Sequence, residues 1–293
     1  MRRGALLAAA LLALGACRAA ADRPVRIGSK NFTEQVILGE IAAGALERAG
    51  VPVERRLDLG GSFVCHRALV AGELDLYPEY TGTAFTAILK EKPIADAAAV
   101  RTQVGAAYAR QWGLVWAPPL GFENTFALVM RGDDARRLGI AKVSDLARHP
   151  ELKPGFGYEF VERADGLPGL AAAYGLAFAA RPAEMDLGLL YPALAQGKVD
   201  VVAGNSTDGL IAAMGLSVLE DDRRYFPPYE AAFVVRGAVW KNPRVRRALE
   251  ALSGAITAQA MRRMNAAVDR DGKSPAVVAK EFLAGLPPAA AAP

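Results

Sequence analysis

From Val25 onward, short runs of β-branched and apolar residues alternate with longer stretches of helical spacing, and this alternation restricts the chain to an α/β architecture with mainly parallel sheets. Val25-Arg26-Ile27-Gly28 reads as the first strand. After it, Asn31 or Thr33 is placed to cap a helix, with Glu34 three residues past Asn31 as in a capping box, and Ile37, Ile41, Gly44 and Ala45 recur on one face. Gly50 offers a left-handed stop. The pattern continues with a strand over residues 53–59, a Gly60-Gly61 turn, a helix through Ala68 to Ala71, a strand from Leu74 to Tyr77 and a helix after Thr81. A second block opens near Thr125 to Met130. It carries a strand about Gly155 to Phe160, a helix with Pro168 in its first turn, and the strand Val199-Asp200-Val201-Val202. Ala232-Phe233-Val234-Val235 then leads into a helical region from Asn242-Pro243. No segment of solenoid or propeller length repeats, so two α/β lobes are expected.

The N-terminus carries an address. Arg2 and Arg3 precede an apolar run from Ala5 to Leu14 that is too short to span a bilayer, the layout of a signal peptide over residues 1–21. Leu14-Gly15-Ala16-Cys17 resembles a lipobox, which would place a diacylglycerol on the Cys17 thiol; the alternative is ordinary cleavage after Ala19-Ala20-Ala21. Either way the chain is expected outside the cytoplasm, held to the membrane only by lipid. The residues from Pro287 are Pro and Ala alone, a tail expected to fray.

Composition narrows the chemistry. With 35 basic against 31 acidic residues the chain is close to neutral, which gives no signal for nucleic acid or an acidic surface. Cys17 and Cys65 are its two cysteines, and Cys65 in an apolar helical stretch reads as a small core residue. His66 and His149 do not sit with other ligands at metal spacing, so neither a metal nor another cofactor is expected. Trp112, Trp116 and Trp240 fit core or surface packing, and Tyr77, three positions before Tyr80, reads as a packed strand residue, with a place beside a binding-site ring as the alternative. Asp200 and Asp208 could pair with a chain crossing or cap a helix.

Three segments read as loops just past strands: residues 28–35 (GSKNFTEQ), 77–83 (YPEYTGT) and 204–209 (GNSTDG). In open α/β sheets, ligands bind at the carboxyl ends of strands, where helix N-termini point free N–H groups at solvent. Helix capping by Thr33, Thr207 or Asp208 explains any one of them without a ligand.

Taken together with LGGS (59–62), NTFALVMR (124–131) and FPPYEAAFVVR (226–236), these segments resemble the quaternary-ammonium substrate-binding proteins of osmoprotectant ABC importers, which bind glycine betaine, choline or carnitine. The resemblance runs from Val25 to the C-terminal helices. It implies a two-lobed periplasmic binding protein fold of type II, with crossover strands near Asn124 to Leu128 and Tyr229 to Val234. Lobe I would then comprise residues 22–122 and 231–293, and lobe II residues 123–230. It also implies a monomer that binds a small quaternary-ammonium ligand between the lobes and delivers it to an ABC permease and ATPase.

A trimethylammonium group is bulky, cationic and without an N–H, so aromatic faces hold it best, and a carboxylate tail calls for Lys, Arg and hydroxyl donors. By resemblance, Tyr80 and Tyr229 match cage rings, and Lys30, Thr83 and Arg163 match carboxylate binders; Asn31 and Asn124 fall in the same motifs. Two positions depart from the strong-binding pattern. Phe126 keeps the ring of a tyrosine found in many relatives without its hydroxyl, and Asn205 stands where many have an aromatic. A cage short of one wall resembles the low-affinity, stress-associated branch of the family.

An enzyme reading lacks a nucleophile with its base, a metal set or a Gly-x-Ser-x-Gly elbow. A sensor reading lacks an attached DNA-binding or membrane module. The sequence therefore favours a transport binding protein.

Overall fold

The computed structural model describes residues 23–286. The leader with Cys17 and the Pro-Ala tail lie outside the described residues. Among the described residues, no helix is long and apolar enough to cross a membrane.

The strands form two five-stranded sheets. The first holds β1 (Val25–Gly28), β2 (Val53–Arg56), β3 (Leu76–Tyr80), β4 (Leu114–Trp116) and β10 (Ala231–Arg236), in the order β2-β1-β3-β10-β4. The second holds β5 (Phe126–Arg131), β6 (Pro154–Gly157), β7 (Ala183–Met185), β8 (Val201–Asn205) and β9 (Leu216–Val218), in the order β7-β6-β8-β5-β9. Parallel pairs come from βαβ crossovers, as the alternating pattern requires. The sheets are nevertheless mixed: β10 and β5 each run antiparallel to both of their neighbours. These are the two strands that enter a sheet directly after the chain passes between lobes.

The two passing segments lie side by side. The Asn124 N–H donates to the Tyr229 carbonyl at 3.1 Å, and the Ala231 N–H donates to the Phe122 carbonyl at 3.1 Å. Gly82 lets the turn after β3 approach this pair closely, since a Cβ there would lie 2.6 Å from the Tyr229 ring.

Both sheets are covered on both faces, and the period of two divides each central strand between two cores. Phe233 and Val235 pack with Ile37, Ile41 and Leu46 of the helix Thr33–Arg48 and with the C-terminal helices; Val234 packs the other way, with Cys65, Leu69 and Tyr108. Leu128 and Met130 join Phe156 and Leu170, whereas Val129 joins Leu190 and Val202. Each fully buried aliphatic side chain contributes about 1.5 to 3 kcal/mol. Gly44 lets the helix Pro275–Ala284 settle onto Thr33–Arg48, because a Cβ there would meet Leu283 at 2.6 Å.

Local expectations differ from the structure at three places that matter for the site. Tyr77–Tyr80 is the buried strand β3 and not a loop. Pro78, which lacks a ladder N–H, is accommodated because β1 pairs with β3 only at Leu76, so beyond it the partner is β10 alone. Residues 158–160 open a short helix, Tyr158–Glu162, where a strand was expected. The helix Thr33–Arg48 begins after Phe32 with no side-chain cap, and Glu34 forms no capping box.

Candidate functional site

A cavity of about 180 Å³ lies between the lobes. The first lobe supplies Lys30, Asn31, Tyr80 and Thr83; the passing segments bring Asn124, Phe126 and Tyr229; the second lobe adds Arg163 and Asn205. The nine residues singled out in the sequence thus line one space. It is smaller than the roughly 300–1,000 Å³ of sites for drug-sized ligands, which suits a compact solute.

Its two cations are already partnered. Lys30 is buried and its ammonium binds the Glu79 carboxylate, while the same ammonium lies 4.9 Å from the centre of the Tyr80 ring. Glu79 is fixed in turn by the Tyr77 hydroxyl at 3.1 Å and the Tyr80 N–H at 2.7 Å. Arg163 is equally buried and holds Asp165 through two bonds, Nε at 2.9 Å and Nη2 at 2.6 Å. The Tyr229 hydroxyl donates to Asp165 at 2.7 Å, and Arg163 Nη2 also reaches the Thr83 hydroxyl at 3.2 Å. Burial pushes the Asp165 carboxyl up, but the adjacent guanidinium outweighs it and holds the group below the ordinary carboxylate value. Arg163 Nη1, with Glu159 3.8 Å away, has no hydrogen-bond partner among the described residues.

The rings are arranged about these cations. The Arg163 guanidinium lies 5.0 Å from the Phe126 ring centre, and Phe126 meets Phe160 and Tyr229 edge to face at 4.9 and 5.9 Å. Tyr80 and Phe126 therefore each have one face engaged by the protein's own cation. Phe32, Tyr158 and Phe160 also line the cavity, as do Glu159 and Asp186; the sequence reading did not single out these five. Tyr158, half of it open to solvent at 52% exposure, is a large ring with no burial to explain it.

The largest omission is Glu34. Its carboxylate is buried and accepts four hydrogen bonds: from the Tyr80 hydroxyl (2.6 Å), Asn124 Nδ2 (2.8 Å), the Thr207 hydroxyl (2.5 Å) and Asn265 Nδ2 (3.0 Å). Burial raises its pKa, and the four donors pull it part of the way back. Thr207 is thus a donor to Glu34 and not a helix cap. Asp208 accepts from the Tyr191 hydroxyl at 2.6 Å and the Asn205 N–H at 2.8 Å. Glu34 and Asn265 are 231 positions apart, and no local signal in the sequence joins them.

Other residues pack or pair away from the cavity. His66 sits edge to face with Trp112 at 4.5 Å, and burial lowers its pKa to about 4, so the ring is neutral. Trp116 meets Tyr108 in the same cluster, and Cys65 is buried beside it. Asp200 pairs with Arg131 at 2.5 Å.

Two lobes, a cleft at the passing segments, and a small cavity walled by rings and buried cations make a clamp for a compact polar solute. Residues 23–285 match the family described as the substrate binding domain of ABC-type glycine betaine transport systems. The chain belongs to this family. A glycine-betaine-binding protein of Pseudomonas aeruginosa (strain PAO1) is 37% identical, over 95% of this chain and 92% of its own length. The ergothioneine transport permease/ergothioneine binding protein EgtU of Helicobacter pylori (strain G27) is 36% identical over 96% of this chain, and the chain spans about half (51%) of that relative's length. A crystal structure of a glycine betaine/carnitine/choline ABC transporter superposes with a TM-score of 0.72 at 33% identity, covering 89% of this chain and 97% of that one. The fold is that of a type II periplasmic binding protein. Membership makes the chain an extracytoplasmic substrate-binding protein of an ABC transporter, a transport component and not an enzyme.

Proposed function

We propose that this chain captures a small quaternary-ammonium compound, such as glycine betaine or choline, in the interlobe cavity and presents it to a permease and ATPase. The observation that carries the reading is the cavity wall: aromatic rings surround a compact space in which one buried guanidinium keeps a free N–H group. Rings attract a trimethylammonium by about 0.5 to 2 kcal/mol each, and the Arg163 Nη1 suits a carboxylate tail. Lys30 serves here through Glu79 and Tyr80, shaping the ring wall more than meeting ligand. Lobe I is taken as residues 22–122 and 231–293, lobe II as 123–230, with residues 1–21 a signal segment cut just before Cys17, which carries the lipid anchor of a monomer.

Calorimetry with glycine betaine, proline betaine, choline, carnitine and ergothioneine tests the reading. Saturable one-to-one binding of at least one of them, with a raised melting midpoint, is expected, because a ligand that binds only the folded state stabilises it. A chain that binds none of the five has another cargo.

A further inference from the structure

Beside the first cavity lies a second and larger one, of about 630 Å³. The two share Asn31, Phe32, Leu187, Ala203 and Asn205, so a solute seated in the first can extend into the second. The lining of the second chamber has one electrical character. Glu34, Asp58, Asp208 and Asp269 contribute to it, and among the described residues no Lys or Arg does.

The acceptors left over there are specific. Among the described residues, Asp208 uses Oδ2 for both of its hydrogen bonds, leaving Oδ1 without a partner, and Asp269 uses Oδ1 for the Thr33 hydroxyl, leaving Oδ2 without one. Burial raises both pKa values, that of Asp208 to about 6, and no cation stands among the groups that shift either one. Independent of the carboxylates, Asn265 is 1% exposed and donates its Nδ2 to Glu34 at 3.0 Å and to the Thr207 carbonyl at 2.9 Å, which fixes the amide; its Oδ1 is buried without a partner. A buried acceptor without a donor costs about 1 to 3 kcal/mol. In the first cavity, Asn124 presents the same feature, with Nδ2 on Glu34 and Oδ1 unpartnered. Among the described residues, no group of three or more acidic, His or Cys side chains could hold a metal ion.

We propose that the second chamber is a subsite for an N–H-bearing cationic group, a protonated amine, that the cargo carries beyond its quaternary-ammonium head. The inference rests on the head occupying the first cavity. Asn205, where the resemblance would place a ring, leaves the passage between the chambers open, so its small side chain serves cargo length.

The test compares ω-aminoalkyl-trimethylammonium ions of graded chain length with the alkyl-trimethylammonium ions of matching length, by calorimetry on the whole chain. At the length that reaches the subsite, the amine is expected to bind about tenfold or more tighter, the factor for one good charge-assisted contact. Asp269→Asn and Asp208→Asn should each shrink that advantage and leave the alkyl series unchanged. Asp269 lies on the surface, so its variant reports even if Asp208→Asn folds poorly. Equal binding of amine and alkyl ions at every length, or an advantage indifferent to both substitutions, overturns the subsite while the first cavity's role stands. If no quaternary ion binds but plain α,ω-diamines do, in a manner that Asp269→Asn abolishes, the subsite stands and the head-group reading falls. If neither class binds, both fall.

Discussion

The Thr207 hydroxyl donates a 2.5 Å hydrogen bond to the Glu34 carboxylate across 173 positions of sequence. One partner opens the helix Thr33–Arg48 of the first lobe, and the other follows β8 of the second. Tyr80, Asn124 and Asn265 complete the set of donors, so a single carboxylate ties the first sheet, a passing segment, a C-terminal helix and the opposite lobe.

Replacing Glu34 by Ala strands these donors in a buried space, at about 1 to 3 kcal/mol for each that finds no water. Glu34→Ala should therefore melt several degrees below the wild type and bind ligand more weakly. Glu34→Gln should retain more of both, because Asn124, whose Nδ2 bonds Glu34 alone, can turn its unpartnered Oδ1 toward the new amide. Coincident melting curves for Glu34→Ala and wild type would mean that the network is idle.

Asp208 makes stability depend on pH in an unusual direction. Burial raises its pKa from 3.8 to about 6, so the folded state holds this proton more tightly than the unfolded chain does. Its contribution is therefore fully present below pH 3.8 and is lost as pH rises through about 6. Asp208→Asn keeps an oxygen for Tyr191 and Asn205 and removes the titration. The variant's melting midpoint relative to wild type should rise between pH 4 and pH 7, and an offset constant over that range would contradict the assignment.

Arg163→Ala removes the free Nη1 and also breaks a buried pair with Asp165. Glycine betaine should lose about 1.5 to 3 kcal/mol of affinity, the range for a hydrogen bond to a charged group, and choline much less, since it has no carboxylate. The melting midpoint should fall as well, because Asp165 is left buried and uncompensated. Calorimetry decides: equal losses for the two ligands would make Arg163 a scaffold for the wall and not a reader of the tail.

Asn205→Tyr adds a ring where the two chambers meet. Compact quaternary ions should bind roughly two- to thirty-fold tighter, the value of one cation–π contact. Any cargo that reaches into the second chamber should bind worse. Tighter binding of long and short ligands alike would show that the passage plays no part in selection.

The lipid anchor is tested in cells. Labelled fatty acid should attach to the wild-type chain and be absent from Cys17→Ala; an unlabelled wild type rules the anchor out.

The alternation of strand-like and helical runs was enough to specify an α/β chain, because each element writes its own period into adjacent residues. Short motifs likewise carried the nine cavity residues, since Tyr80 and Thr83, or Lys30 and Asn31, lie within a few positions of one another and arrive at the cleft together. Relations between distant segments were not legible. That β10 and β5 run against their neighbours, that Pro78 is tolerated inside β3, and that Lys30 and Arg163 spend their charge on Glu79 and Asp165 all depend on which strand or loop comes to lie alongside. Glu34 marks the boundary most clearly. Its sequence context, three residues past Asn31, fits a capping box equally well, and only tertiary packing sets donors from four other segments around it. The reason is physical: a cap is settled by local backbone geometry, whereas a buried carboxylate adopts whichever partners compensate its lost hydration, and those partners are chosen by the fold.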